Sequence, residues 1–559
     1  MESNNALRKA CDLCYTRKLK CDGQQPRCSN CVIYARECTH AAAPRRKIKP
    51  KAKRPNATKT PDKLRPQLEG HQKGQDQATQ VHQVKTSSSV KGITHATEAQ
   101  HEVGSGSTKL PPLQEAMALV GIYLRTSNAV LPLFHPDTLL RMVGECYALH
   151  PRQRDPVVWA AINTVFALAS QHSPKGAIEG PPANMFQHRP SGPHPTESYL
   201  NKAQSVMSTV MQGETGLLNI QTLLGMVMVL QTARDPTPAL MLISATMRLV
   251  HKMGLHDRSA SAHLDPIGRR QHARVFWVAY ILDKDLALRA QVPSIQADDD
   301  IDVDLPDTLP VPLAPQDNDH TAGIVVTTDR KTEMNYFLAR IQLANIEGQI
   351  YSYLYSTRAL NASSQERVGI RQSISIALDE WRASIPLQFS AAVVTKTTKN
   401  KPANLGFFAV LHMGSLQCMM LLSRAQGMDE QWLMGVQNYT RGISALPIPP
   451  CWEVLVVEAR DFVSLFQKVW EADCWFRWTT ACPYASAAMV LIANNLHDIS
   501  HPKVQIDMGL VDDALVWLDG IVEQMESPCM RKFRGICVEA VRSVKRKRAL
   551  NSFNLSVDD

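Results

Sequence analysis

The sequence predicts a mainly α protein: a small cysteine-rich module, a basic disordered linker and a large all-α body. Three observations lead there. Six of the 13 cysteines fall in the first forty residues at a repeated spacing. Residues 35–122 contain no aromatic side chain. From residue 110 onward, apolar residues recur at helical intervals, with few alternating β-branched runs.

The cysteine module comes first. CDLCYTRKLKC (11–21) and CSNCVIYAREC (28–38) are two copies of one pattern. The gaps between Cys11, Cys14, Cys21, Cys28, Cys31 and Cys38 are 2, 6, 6, 2 and 6. A tetrahedral thiolate zinc site takes four sulfurs. Six sulfurs serve two such sites if two of them bridge, one from each half. Each half reads as a short helix after its C-x2-C turn, with the third cysteine returning to close the site. Gly23 and Pro26 turn the connecting loop DGQQPR (22–27).

A three-disulfide scaffold competes with this reading, and it needs an oxidising compartment. The start MESNNALRKACD has no apolar signal segment. The most apolar stretch, LLNIQTLLGMVMVL (217–230), is too short for the ~20 residues a bilayer span needs. The chain is therefore expected to be soluble and intracellular, without a membrane partner, and its clustered cysteines to hold metal.

Charge is unevenly placed. Residues 1–60 hold 15 Lys and Arg against 4 Asp and Glu, a net of +11, while the rest holds 46 against 48, a net of −2. A polyanion-binding end joined to an ordinary globular body has this asymmetry. A metabolic enzyme has no need of it, and the common nucleotide, zinc-protease and hydrolase motifs are absent, so no enzyme is expected. In the first cysteine repeat Arg17, Lys18 and Lys20 fill the longer gap; in the second, Val32, Ile33 and Tyr34 stand there with Arg36 alone. One half carries charge for a polyanion and the other is suited to packing.

The motif CDLCYTRKLKCDGQQPRCSNCVIYAREC resembles the zinc binuclear cluster (Zn2Cys6) DNA-binding domain of fungal transcription regulators. The resemblance implies two Zn2+ ions bridged by Cys11 and Cys28. It implies that the first helix enters the major groove of double-stranded DNA and that Lys18 reaches the bases of a CGG-type half-site. Arg17 and Lys20 are expected on phosphates, with Arg8 and Lys9 as further DNA contacts. The module is assigned to residues 1–40.

Residues 41–109 are rich in Gln, Lys, Thr, Ser and Pro and cannot bury enough apolar surface to fold. As a flexible coil, ~65 residues span ~45 Å. APRRKIKPKAKRP (43–55) places Arg45, Arg46, Lys47, Lys49, Lys51, Lys53 and Arg54 in one run, read as a nuclear localisation signal with non-specific DNA contact. Many relatives in the family follow the cluster with a coiled coil. Positions 40–70 contain five prolines and no heptad, so a monomer, or a homodimer made through the helical domain, is expected instead.

The body is assigned to 110–548. WAAINTVFALAS (159–170), TLLGMVMVLQTA (222–233), HARVFWVAYILDKDLALR (272–289), FFAVLHMGSLQCMMLLS (407–423) and DALVWLDGIVEQM (513–525) read as helices. Residues 180–195 and 306–328 read as loops. YLRTSNAVLPLFHPDTLL (123–140), LISATMRLVHKMGLHDRS (242–259) and GRRQHARVFWVAYILDKDLALRAQVPSIQADDDIDVDLP (268–306) resemble the fungal-specific transcription factor, or middle homology, domain, best matched over 110–310. The resemblance implies an all-α regulatory domain. Where that family usually has Gly-Arg-Pro, this chain has Ala290-Gln291-Val292-Pro293, which loses the glycine of the turn.

Other candidates are expected to be structural. ADDDIDVDLPD (297–307) looks like an acidic activation segment and is read as a loop of the body. The tail 549–559 is acidic, and SFNLSVDD (552–559) is the better activation candidate. VKRKR (544–548) is either a second nuclear signal or a solvated helix end. The seven cysteines outside the cluster are read as buried small hydrophobes, and His251, His256 and His412 as structural. The whole reads as a nuclear, zinc-dependent regulator of RNA polymerase II genes that works with the transcription machinery or co-regulators. It is taken as an activator, with a biosynthetic gene cluster as target; a repressor or a small-molecule-gated regulator on the same module is the alternative.

Overall fold

The computed structural model describes residues 10–17, 21, 28, 31, 37–40, 110–172, 195–306, 319–396, 405–424, 430–449, 451–470, 476–525 and 528–555. The N-terminal module contributes one short helix, α1 (Asp12–Arg17), and its own small core of cysteines. The linker 41–109, most of the loop 180–195, and the turn 22–27 lie outside the described residues.

The helical body is one continuous apolar core. Its principal helices are α2 (Leu113–Arg125), α3 (Pro136–Ala148), α4 (Pro156–Gln171), α5 (Leu217–Leu230), α6 (Thr237–Lys252) and α7 (Pro266–Ala290). They continue with α8 (Tyr336–Ile350), α9 (Ser364–Ser384), α10 (Leu405–Arg424), α11 (Trp452–Trp470), α12 (Arg477–His497), α13 (Val504–Met525) and α14 (Pro528–Leu555). Helices packed together are mostly close in the chain: α4 on α5, α5 on α6, α6 on α7, α7 on α8, then α10 on α11, α11 on α12 and α12 on α13.

The starts and stops follow local chemistry. Asp155 caps α4 by accepting from Val157 and Val158 N–H at 2.8 and 3.0 Å, with Pro156 at the first helical position. Asp265 caps α7 in the same way, accepting from Gly268 N–H at 2.8 Å ahead of Pro266. Ser363 and Glu366 form a reciprocal capping box on α9. α5 is apolar on nearly every face and is buried from Asn219 to Val229, as a helix hydrophobic all round must be. Gly225 lets it approach α4: a methyl there would stand 2.6 Å from Thr164 Cγ2.

Two expectations are corrected. The segment 306–328, read as a loop, contains a strand, β1 (Ile324–Val326), paired antiparallel with β2 (Glu333–Asn335) in the register Ile324↔Asn335, Val325↔Met334, Val326↔Glu333. Three-residue strands are too short for periodicity to register, although Ile-Val-Val is β-branched. The expectation that no stretch approaches a membrane span is also revised. α10 is long and apolar enough by length and composition, but most of its residues are buried against α8, α9, α11 and α12. Its apolar length serves the core.

Candidate metal centre and nucleic-acid interface

α1 starts directly after Cys11, so Cys14 sits on its first turn. This differs from a helix placed after the C-x2-C turn: the turn is already helical. Cys11, Cys14, Cys28 and Cys31 are fully buried, and Cys21 and Cys38 half-buried. None of the six is in a disulfide.

The sulfurs form two sets of four. Cys11, Cys14, Cys21 and Cys28 lie within 4.8 Å of one another, as do Cys11, Cys28, Cys31 and Cys38. Cys11 and Cys28 belong to both sets. Cys11 Sγ is 3.6 Å from Cys28 Sγ and 3.5 Å from Cys31 Sγ, and Cys14 Sγ is 3.6 Å from Cys28 Sγ. Tetrahedral zinc with Zn–S bonds of ~2.3 Å places its sulfurs about 3.8 Å apart, close to these spacings.

The backbone repeats with the sulfurs. Cys14 N–H points at Cys11 Sγ (3.5 Å) as Cys31 N–H points at Cys28 Sγ (3.4 Å). Cys11 N–H points at Cys21 Sγ (3.5 Å) as Cys28 N–H points at Cys38 Sγ (3.4 Å). The two halves are thus related by a pseudo-two-fold. Asp12 and Thr39 clasp the ends: Asp12 N–H donates to Thr39 O at 2.8 Å, and Thr39 Oγ1 donates to Asp12 Oδ2 at 2.9 Å. The cysteine spacing alone did not reveal this clasp.

Burial pushes the Cys28 thiol up to about 12 and the Cys31 thiol higher still. Crowded, buried thiols resist ionising by themselves. A divalent cation between them reverses this, because a coordinating thiol is deprotonated outright. The six-cysteine cluster fits two Zn2+ ions sharing two sulfurs.

Arg17 closes α1. Lys18, Lys20, Arg8, Lys9 and the run Arg45, Arg46, Lys47, Lys49, Lys51, Lys53 and Arg54 lie outside the described residues.

The remaining candidates are decided by their partners. The 297–307 acids are tied into the body as far as Pro306, where description stops. Asp298 accepts from Tyr280 OH at 2.9 Å and pairs with Lys284 at 2.9 Å, and Arg258 pairs with Asp304 at 2.7 Å. Asp302 N–H donates to His256 O, and Trp277 Nε1 donates to Asp304 O. In VKRKR, Lys545 pairs with Asp512 at 3.0 Å, Lys547 donates to Tyr439 OH at 2.9 Å, and Arg548 donates to Gln505 Oε1 at 3.3 Å. Those contacts give the run a packing role on α14, which continues to Leu555.

His412 Nε2 lies 2.9 Å from Phe389 O, and His251 Nε2 2.8 Å from Gln296 Oε1, both structural bonds. The cysteine expectation is corrected in part. Cys146, Cys418 and Cys537 are buried, but Cys451, Cys482 and Cys529 are exposed, and Cys474 lies outside the described residues. Cysteine spacing says nothing of which helix face a cysteine occupies.

Comparison with known proteins agrees with this geometry. Residues 9–48 match the fungal Zn(2)-Cys(6) binuclear cluster domain, and residues 120–383 the fungal specific transcription factor domain. An ABC-transporter-regulating transcription factor of Aspergillus fumigatus is 30% identical over 441 residues, covering 78% of this chain and 47% of that protein. A protein of the same description from Aspergillus oryzae is 30% identical over 438 residues, with the same coverage of each. The fusaridione A cluster transcription factor of Fusarium heterosporum is 24% identical over 448 residues, covering 80% of this chain and 79% of that protein. The chain spans about half the length of the two Aspergillus relatives.

Proposed function

The chain belongs to the fungal Zn(2)-Cys(6) transcription factors, DNA-binding regulators that act in the nucleus and are not enzymes, and from that premise we propose a sequence-specific activator that reads CGG-type half-sites. The observation that carries the reading is the pair of four-sulfur sets sharing Cys11 and Cys28. In this proposal Cys14 and Cys21 complete one zinc site, and Cys31 and Cys38 the other. Lys18 donates to guanine O6 and N7, while Arg17, Lys20, Arg8 and Lys9 hold the module on phosphates. The basic run 45–54 directs nuclear entry, and the helical body carries dimerisation and contacts to the transcription machinery.

The Aspergillus relatives are described as regulating ABC transporters and the Fusarium relative as the transcription factor of the fusaridione A cluster. We place this chain's targets among transporter and biosynthetic-cluster genes, to be identified by genome-wide mapping of bound sites.

The DNA reading is tested by competition binding on CGG-containing and scrambled duplexes. Lys18→Ala is expected to lose ~1–3 kcal/mol of discrimination, while Lys20→Ala weakens binding to every duplex alike and flattens its salt dependence. An unchanged preference ratio in Lys18→Ala would remove that residue from base readout. Reporter transcription with and without the protein separates activation from repression.

A further inference from the structure

We propose that the outer face of α14 is a second DNA contact, which binds the phosphate backbone of the duplex flanking the site held by the zinc module. The proposal rests on the chain's DNA binding and adds to it a surface of the helical body.

α14 carries eight Lys and Arg against one acid, Glu539, a net of +7 in 28 residues. The rest of the chain beyond residue 60 is net −9. Basic charge is thus gathered on one helix of a body that is otherwise acidic. Part of it is engaged. Arg534 pairs with Asp519, Lys545 with Asp512 at 3.0 Å and Lys532 with Glu430 at 3.9 Å. Solvated surface pairs of this kind hold weakly. Arg531, Arg542 and Arg546 are exposed. Among the described residues the side chains of Arg531 and Arg542 have no hydrogen bond or ion pair, and Arg546 bonds only Arg542 O of the same helix, at 3.4 Å. Glu539 is already held by Arg441 at 2.9 Å and Gln437 at 3.1 Å.

The free guanidinium groups form a line. At ~3.6 residues per turn, Arg531 and Arg542 stand about three turns apart on one face, and Arg546 follows about one turn later. The three cover ~23 Å of helix axis. Gly535 lies between them on the same face, and a methyl there would meet nothing within 4 Å, so the face is open at that point. A guanidinium matches phosphate oxygens with paired N–H donors. A line of unpaired cations fits a linear polyanion, and duplex DNA is the polyanion this chain binds. Residues 41–109 are long enough to let the body lie on duplex beside the module.

The test uses the full chain. Affinity is measured across roughly 50 to 200 mM potassium chloride on two CGG-containing duplexes, one with long flanks and one trimmed to the half-site. Wild type is compared with a triple variant, Arg531→Gln, Arg542→Gln and Arg546→Gln, and with the matching triple Arg→Lys variant. Equal thermal midpoints verify that all three fold alike. On the long duplex the Gln variant is expected to bind more weakly, with a log–log salt slope shallower by about 2–3, since each phosphate contact contributes about 0.9. The Lys variant keeps the slope near that of wild type. On the trimmed duplex all three bind alike, and each keeps the same preference for CGG over scrambled sequence, because phosphate contacts carry no sequence information. A Gln variant with wild-type slope and affinity on the long duplex overturns the proposal. The same result joined to lost nuclear accumulation also overturns it and assigns the face to an import receptor. If wild type shows no CGG preference, the half-site reading fails, and the slope difference still decides for or against α14.

Discussion

Cys11 and Cys28 each stand in both four-sulfur sets, so each would serve two metals where Cys14 or Cys38 would serve one. Cys11→Ala and Cys28→Ala are expected to lose both zinc ions, and Cys14→Ala and Cys38→Ala about half the zinc, as read by metal content per folded chain. Equal loss in all four would argue against shared sulfurs. In the body, Lys284 has a comparable weight. Its ammonium is 3% exposed, donates to Gln296 O at 2.7 Å and Ser294 Oγ at 3.1 Å, and pairs with Asp298 at 2.9 Å. It holds the 294–298 loop against α7. Removing one partner of a buried pair leaves the other charge stranded, so Lys284→Ala is expected to cost on the order of 3 kcal/mol in denaturant unfolding. A loss below about 1 kcal/mol would show that the loop is held by its other contacts.

At the scale of elements, α7 illustrates how a departure from the family pattern is absorbed. The chain turns after Ala290 with Gln291 in the left-handed region (φ 56°, ψ 41°), its N–H reaching Ala287 and Leu288 carbonyls and its Nε2 donating to Leu288 O at 2.9 Å. The side-chain bond offsets part of the strain a glycine would have avoided. Within α8, the Arg340–Glu347 pair makes stability depend on pH. Burial raises Glu347 to about 7 from an ordinary 4.5, against the pull of Arg340. Between those values the native state keeps a proton that the unfolded chain has released. The contribution of Glu347 to stability is therefore full below pH 4.5 and is lost as pH rises toward 7, by on the order of 3 kcal/mol. Glu347→Gln should flatten that slope in denaturant unfolding at pH 5, 6 and 7. A mutant whose stability still falls by the same amount would place the titrating group elsewhere.

For the whole molecule, the cysteine module and the helical body have separate hydrophobic clusters. About thirty residues have almost no core, so metal binding supplies the folding free energy of the module. The body's core contains no cluster cysteine. A strong chelator is therefore expected to abolish DNA binding while leaving the helical circular dichroism and the main thermal transition of the body nearly unchanged. Loss of the main transition with the metal would mean that the two folds depend on each other.

What the chain determined alone was chemistry that is local in sequence. The six cysteines, their bridging arithmetic and the charge of the first sixty residues are read directly, because metal ligation by short loops depends on spacing and residue type. The long helices were legible too, since an apolar stripe at 3.6-residue intervals survives any tertiary arrangement. Tertiary structure decided what depends on distant partners. The acids of 297–306 look like an activation segment until Tyr280, Lys284 and Arg258 are found against them. In VKRKR, Asp512, Tyr439 and Gln505 partner three side chains, which the run of charge alone does not show. A charge's meaning lies in whether it is solvated or buried, and burial is set by contacts between residues tens to hundreds of positions apart.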